Sequence, residues 1–115
     1  MITGVHALLY SKNAEADRAF FRDVLGLRFI DSGGGWLIFA LPPAELGIHP
    51  TEEEDTPELY LLCDDVEQTI AELKSKNVEC SPIREFDWGR LTVLTLPSGS
   101  NLGMYQPKHP VAAAI

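Results

Sequence analysis

Apolar positions along the chain alternate between a strand-like spacing and a helical one, in the same order twice. Residues 4–10, GVHALLY, are apolar and strand-like. SKNAEADRAFFRDVLGL follows, with Ala16, Phe20 and Val24 recurring every fourth residue, the period of one helical face. Asn13 stands where an N-cap is expected, and Gly26 where a left-handed residue would close the helix. Short strands are expected at about 27–32, at about 36–41 after the turn SGGG, and at about 45–49 after LPP. The second half opens with another strand, ELYLLC (58–63). Asp65, with Gln68 three residues later, reads as a capping-box-like start to a helix whose buried stripe is Val66, Ile70 and Leu73. Asn77 stands where Gly26 stood and is also a residue that tolerates left-handed backbone. Strands are expected at about 78–83, 89–96 and 101–106.

Each half therefore reads β-α-β-β-β. A constant offset pairs His6 with Glu58, Tyr10 with Leu62, Asn13 with Asp65 and Phe21 with Leu73. After a one-residue loss at the helix end, ALP (40–42) matches TLP (95–97), and LGIH (46–49) matches LGMY (102–105). Two such units imply a pseudo-symmetric single domain in which each half completes the other's core. The boundaries are residues 1–50 for the first module, an acidic linker at 51–57, 58–107 for the second module, and a tail at 108–115.

Composition narrows the function. The chain has 115 residues, enough for one core, and its 45% apolar and 23% charged content is that of an ordinary globular domain. A net charge of −8 with no basic stripe opposes nucleic-acid binding. No apolar run reaches the ~20 residues of a membrane helix. MITGVHALLY has no basic n-region and no small-residue cleavage site, so the expected location is the cytoplasm. Cys63 and Cys80 lie in apolar, strand-like surroundings and read as free, buried thiols.

VHALLYSKNAEADRAFFRDVLGL, CDDVEQTIAELKSKNVE and the closing LPSGSNLGMYQP together resemble the vicinal oxygen chelate superfamily of glyoxalases, bleomycin resistance proteins and extradiol dioxygenases. The resemblance spans nearly the whole chain. It implies an α+β fold: two tandem βαβββ modules forming a curled, eight-stranded mixed-sheet cup with the helices outside. It also implies a homodimer, and in catalytic members a divalent metal held by ligands on the first and fourth strands of each module.

Strand alternation tests that implication. His6 and Glu58 occupy the two first-strand ligand positions, but both fourth-strand positions are glycine, Gly47 and Gly103, which carry no donor atom. His49 lies two residues beyond Gly47 on the same face, displaced by ~6.6 Å. With His6 and Glu58 it makes a candidate two-His, one-carboxylate set suited to Fe, Mn, Zn or Ni. Equally, His49 is a polar cup-lining counterpart of Tyr105, and His6 and Glu58 are hydrogen-bonding partners. Tyr60, Tyr105 and Trp88 are candidate ligand-binding aromatics, Gly47 and Gly103 leave floor space for a flat molecule, and Arg90 is a candidate grip for an acidic group. Trp36 is a further rim aromatic, and His109 reads as an exposed tail residue without a role. Two functions compete: a metal-free protein that binds a small aromatic or peptide-like molecule, and a divalent-metal-dependent dioxygenase or glyoxalase-type enzyme. A cup retained for assembly or regulation is a third.

Overall fold

The computed structural model describes residues 6–45, 47, 50, 52 and 58–111. Within them the chain forms a helix α1 (Ala14–Asp23), strands β1 (Phe29–Asp31), β2 (Leu37–Phe39) and β3 (Tyr60–Leu62), and a second helix α2 (Val66–Ser75). Strands β4 (Arg84–Phe86), β5 (Gly89–Thr95) and β6 (Asn101–Pro107) follow.

Both helices begin and end where their side chains allow. Asn13 Oδ1 accepts from the Ala16 backbone N–H at 3.2 Å, and Asp65 Oδ1 from that of Gln68 at 3.0 Å. Gly26 and Asn77, the paired closing residues, both adopt positive φ, 68° and 62°. The next backbone N–H then turns back, Leu27 to the Phe21 carbonyl and Val78 to that of Leu73.

Strands β3, β6, β5 and β4 form one sheet in that order, β3 parallel to β6 and the remaining pairs antiparallel. One face of this sheet buries Thr92, Leu94, Leu102 and Met104 beneath α2, whose Val66 and Leu73 are buried there. Phe20 and Phe21 of α1 enter the same core. The halves are tied by polar contacts as well. Asp17, buried on α1, accepts from the backbone N–H of Ser98 at 3.0 Å and from its hydroxyl at 2.8 Å. Lys76 Nζ donates to the Val24 carbonyl at 3.3 Å.

The two modules differ where the repeat predicts likeness. The described residues hold six strands in two sheets, and the eight-stranded curled cup is not formed among them. Residues 6–10 of the expected first strand form no strand, and all five are exposed. The strand expected at 45–49 falls largely outside the described residues, leaving β1 and β2 as an antiparallel pair. The strand expected at 78–83 meets the far half of β5 through the Cys80–Leu94 bridge, with the Ser81 N–H on the Val93 carbonyl at 2.9 Å and the Thr95 N–H on that of Glu79 at 3.1 Å, and Arg84–Phe86 pairs with the near half. Pro82 explains the interruption: it has no N–H for the ladder, and beyond it the Asp87–Trp88 turn brings 84–86 directly back along β5.

Candidate functional site

The second face of the four-stranded sheet is the one that α2 leaves open. Alternation along β5 and β6 assigns it Gly89, Leu91, Val93 and Thr95, and Asn101, Gly103 and Tyr105. The register adds Tyr60 and Leu62 opposite Gly103 and Tyr105, and Arg84 and Phe86 opposite Leu91 and Gly89.

Aromatic rings cover one end of this face. Phe86 and Trp88 stack at 4.8 Å between centroids with 8° between planes. Trp88 meets Tyr105 edge to face at 5.0 Å, and Tyr105 meets Tyr60 edge to face at 5.8 Å. Two glycines permit the arrangement. A Cβ on Gly103 would stand 2.5 Å from Cδ1 of Tyr60, and one on Gly89 would stand 2.7 Å from Cδ2 of Tyr105. Each tyrosine ring thus lies on bare backbone of the neighbouring strand, where any side chain would lift it away. Tyr60 and Trp88 remain 41% and 40% exposed, so the row is open to a ligand rather than sealed in a core. At the other end of the face lies a depression of about 380 Å³ lined by Glu79, Cys80, Ser81, Val93, Thr95 and Asn101.

The tyrosine hydroxyls are held in place. Tyr60 donates to Glu58 Oε2 at 2.5 Å, and this bond, with burial and the carboxylate's charge behind it, raises the phenol's pKa. Tyr105 and His109 Nε2 lie 3.0 Å apart. His109 Nδ1 faces the Pro110 carbonyl at 2.8 Å, an oxygen that can only accept, so in the neutral imidazole Nδ1 carries the proton and Tyr105 donates to Nε2. Burial, then the charge of Glu45, raises the Tyr105 pKa. Both groups therefore stay neutral donors at physiological pH.

The sequence candidates separate on this framework. Tyr60, Tyr105, Trp88 and Gly103 come together, Gly103 as the seat of the Tyr60 ring rather than as open floor. Arg90 points to the opposite face, where Nη2 meets Glu67 at 3.0 Å and Nε meets Glu85 at 2.7 Å, so its fork is already taken. Gly47 and His6 are exposed. Glu58 bonds Tyr60 rather than His6. His49 lies outside the described residues. Among those residues no group of three His, Cys, Asp or Glu side chains assembles as a metal-binding set. Gly103 supplies no donor, and the Tyr60 ring covers its place. The described residues thus do not fit the four-ligand metal centre of the family.

Two residues of the site escape sequence reasoning. His109, half-buried, orients Tyr105 from the tail, and only the course of the chain past β6 brings it there. Arg84, not Arg90, is the arginine on the open face, with its guanidinium carbon 5.1 Å from the centroid of the Phe86 ring. A strand beginning at 84 instead of ending at 83 is the signal that would have shown it.

The comparisons with known proteins agree with the architecture. An antibiotic-binding protein, TnmS3 of Streptomyces sp. CB03234, superimposes with a TM-score of 0.69 at 24% identity, over 93% of this chain and 98% of that one. A lactoylglutathione lyase of Agrobacterium tumefaciens gives 0.66 at 15% identity, over 90% and 92%. A glyoxalase/bleomycin resistance protein of the same Streptomyces strain gives 0.57 at 24%, over 84% and 93%. At these identities the likeness is one of fold. No curated protein matches the chain. Residues 4–102 match the family model directly, and the chain belongs to the glyoxalase/bleomycin resistance protein/dioxygenase superfamily.

Proposed function

We propose that this protein binds a small aromatic or peptide-like molecule on the open face of its four-stranded sheet, without a metal. The observation that carries the reading is the row Tyr60–Tyr105–Trp88–Phe86, seated on Gly103 and Gly89 and left partly exposed. Rings pinned in this way present fixed faces and edges, so a planar ligand stacks on them with little ordering cost. The antibiotic-binding activity in the name of TnmS3 supports the same reading at the level of a shared fold. We further propose a homodimer in the cytoplasm, with a second copy covering apolar side chains of the first module.

A fluorescence titration with planar aromatic compounds tests the site. Binding is expected to survive EDTA, and Trp88→Ala is expected to weaken it about tenfold, the equivalent of ~1.4 kcal/mol. Binding that EDTA abolishes and Fe(II), Mn(II), Zn(II) or Ni(II) restores would overturn the metal-free reading. It would favour a divalent-metal-dependent enzyme of the dioxygenase or glyoxalase type built on His6, His49 and Glu58.

A further inference from the structure

The charges around the aromatic row are not symmetric, and they define the ligand more closely. On the second module's terminal hairpin, Arg90 and Lys108 are neutralised on the helix side, where Glu85 takes both and Glu67 takes Arg90 again. Arg84 stands on the opposite, open face. Its register partner is Leu91, whose own partner on β6 is Tyr105, so Arg84, Leu91 and Tyr105 form one row across three strands. The guanidinium lies over the Phe86 ring, which in turn stacks on Trp88. Stacking fixes the plane of an arginine while leaving its N–H edge free, and among the described residues no carboxylate pairs with this one. At the far edge of the sheet the situation is reversed: the Glu58 carboxylate sits on the Tyr60 hydroxyl. In a chain of net charge −8, the Arg84 guanidinium set among aromatic rings at one edge and the Glu58 carboxylate at the other, with the charge of Glu45 felt at Tyr105 between them, give the open face a direction.

From this we infer that Arg84 is the specificity-determining residue of the site, receiving an acidic group of an aromatic ligand whose rings lie over Leu91 against Tyr105 and Trp88. Glu58 repels that acidic group at the opposite edge, so the ligand binds in one orientation. The spacing fits: Arg84 and Tyr105 are two strand separations apart, ~9.6 Å, about the length of three fused rings. The inference rests on the aromatic row being the binding surface, and the two can be tested apart.

Three compounds with one ring system and three charges at the end of its long axis serve as probes: anthracene-2-carboxylate, the neutral anthracene-2-carboxamide, and protonated 2-(aminomethyl)anthracene. Affinities are read from anthracene fluorescence anisotropy in the full-length protein. The carboxylate is expected to bind at least about tenfold more tightly than the carboxamide. Arg84→Gln should erase that difference while leaving the affinity for the carboxamide within about twofold. Arg84→Lys should keep part of the preference, since it retains charge and loses the planar fork. Circular dichroism shows whether each variant is folded. Equal binding of all three probes, weakened together by Trp88→Ala, would sink the role of Arg84 and keep the aromatic site. Tighter binding of the amine, reduced by Glu58→Gln, would overturn the inference in favour of the opposite polarity. Failure of every probe to bind the wild type would overturn the aromatic site itself, and the inference with it.

Discussion

A single residue pair shows how the site is made. Tyr60 and Gly103 are partners in a parallel ladder, and the missing Cβ lets the phenol ring lie on backbone with its hydroxyl on Glu58. Gly103→Ala forces the ring off, because the added carbon would stand within 2.5 Å of it. The ring is partly exposed and can swing outward, so the expected loss of stability is modest, about 1 kcal/mol. The consequence for the hydroxyl is sharper. The carboxylate raises the Tyr60 pKa in the folded state, so this bond stabilises the protein fully below the unfolded phenol value of ~10 and the contribution is lost as pH rises through the higher folded value. Ultraviolet difference titration should show one tyrosine returning towards the ordinary value in both Gly103→Ala and Glu58→Gln. An unchanged titration in Glu58→Gln would show that the bond does not govern this phenol. The sequence disclosed the glycine as a lost carboxylate position, but not its use. That use depends on which residue of the neighbouring strand lies opposite, and register is set by pairing across the sheet, not by the order of residues along one strand.

At the scale of elements, both helices were legible because their signals are local. Apolar spacing, a capping side chain and a left-handed closing residue all lie within a few turns, and Asn13, Gly26, Asp65 and Asn77 take the places expected of them. Strands were less legible. Pro82 interrupts the second module's hairpin strand, and the part beyond it carries Arg84 on the open face, while the alternation of β5 alone turns Arg90 to the helix side. The contact that joins α1 to the β5–β6 turn was also invisible, since Asp17 and Ser98 are distant in the chain. Asp17 lies in the first turn of α1, where a carboxylate suits the helix dipole, and it satisfies two donors of Ser98 from a buried position. Asp17→Ala leaves those donors without their acceptor, at an expected cost of about 1–3 kcal/mol. Urea denaturation should show a lower midpoint with an unchanged slope. Ser98→Ala removes only the hydroxyl partner and should cost less. A midpoint for Asp17→Ala equal to that of the wild type would mean that the turn is held by its apolar neighbours alone.

At the scale of the whole molecule, large apolar side chains stand exposed among the described residues, and many of them lie on the first module, at Leu8, Tyr10, Phe29, Ile30 and Trp36. The pseudo-symmetry of the sequence gives that module the same elements as the second, yet its described residues form only a two-stranded sheet. Exposed apolar groups in such number suit an association surface and support the proposed homodimer, in which the second copy would close over the first module. Sedimentation equilibrium at about 50 μM should give twice the chain mass. The double substitution Leu8→Glu and Ile30→Glu should give the monomer with its helical circular dichroism retained, because both side chains are exposed and their loss leaves no hole in the core. A wild type that sediments as a monomer would refute the dimer. A variant that remains fully dimeric would place the interface away from the first module.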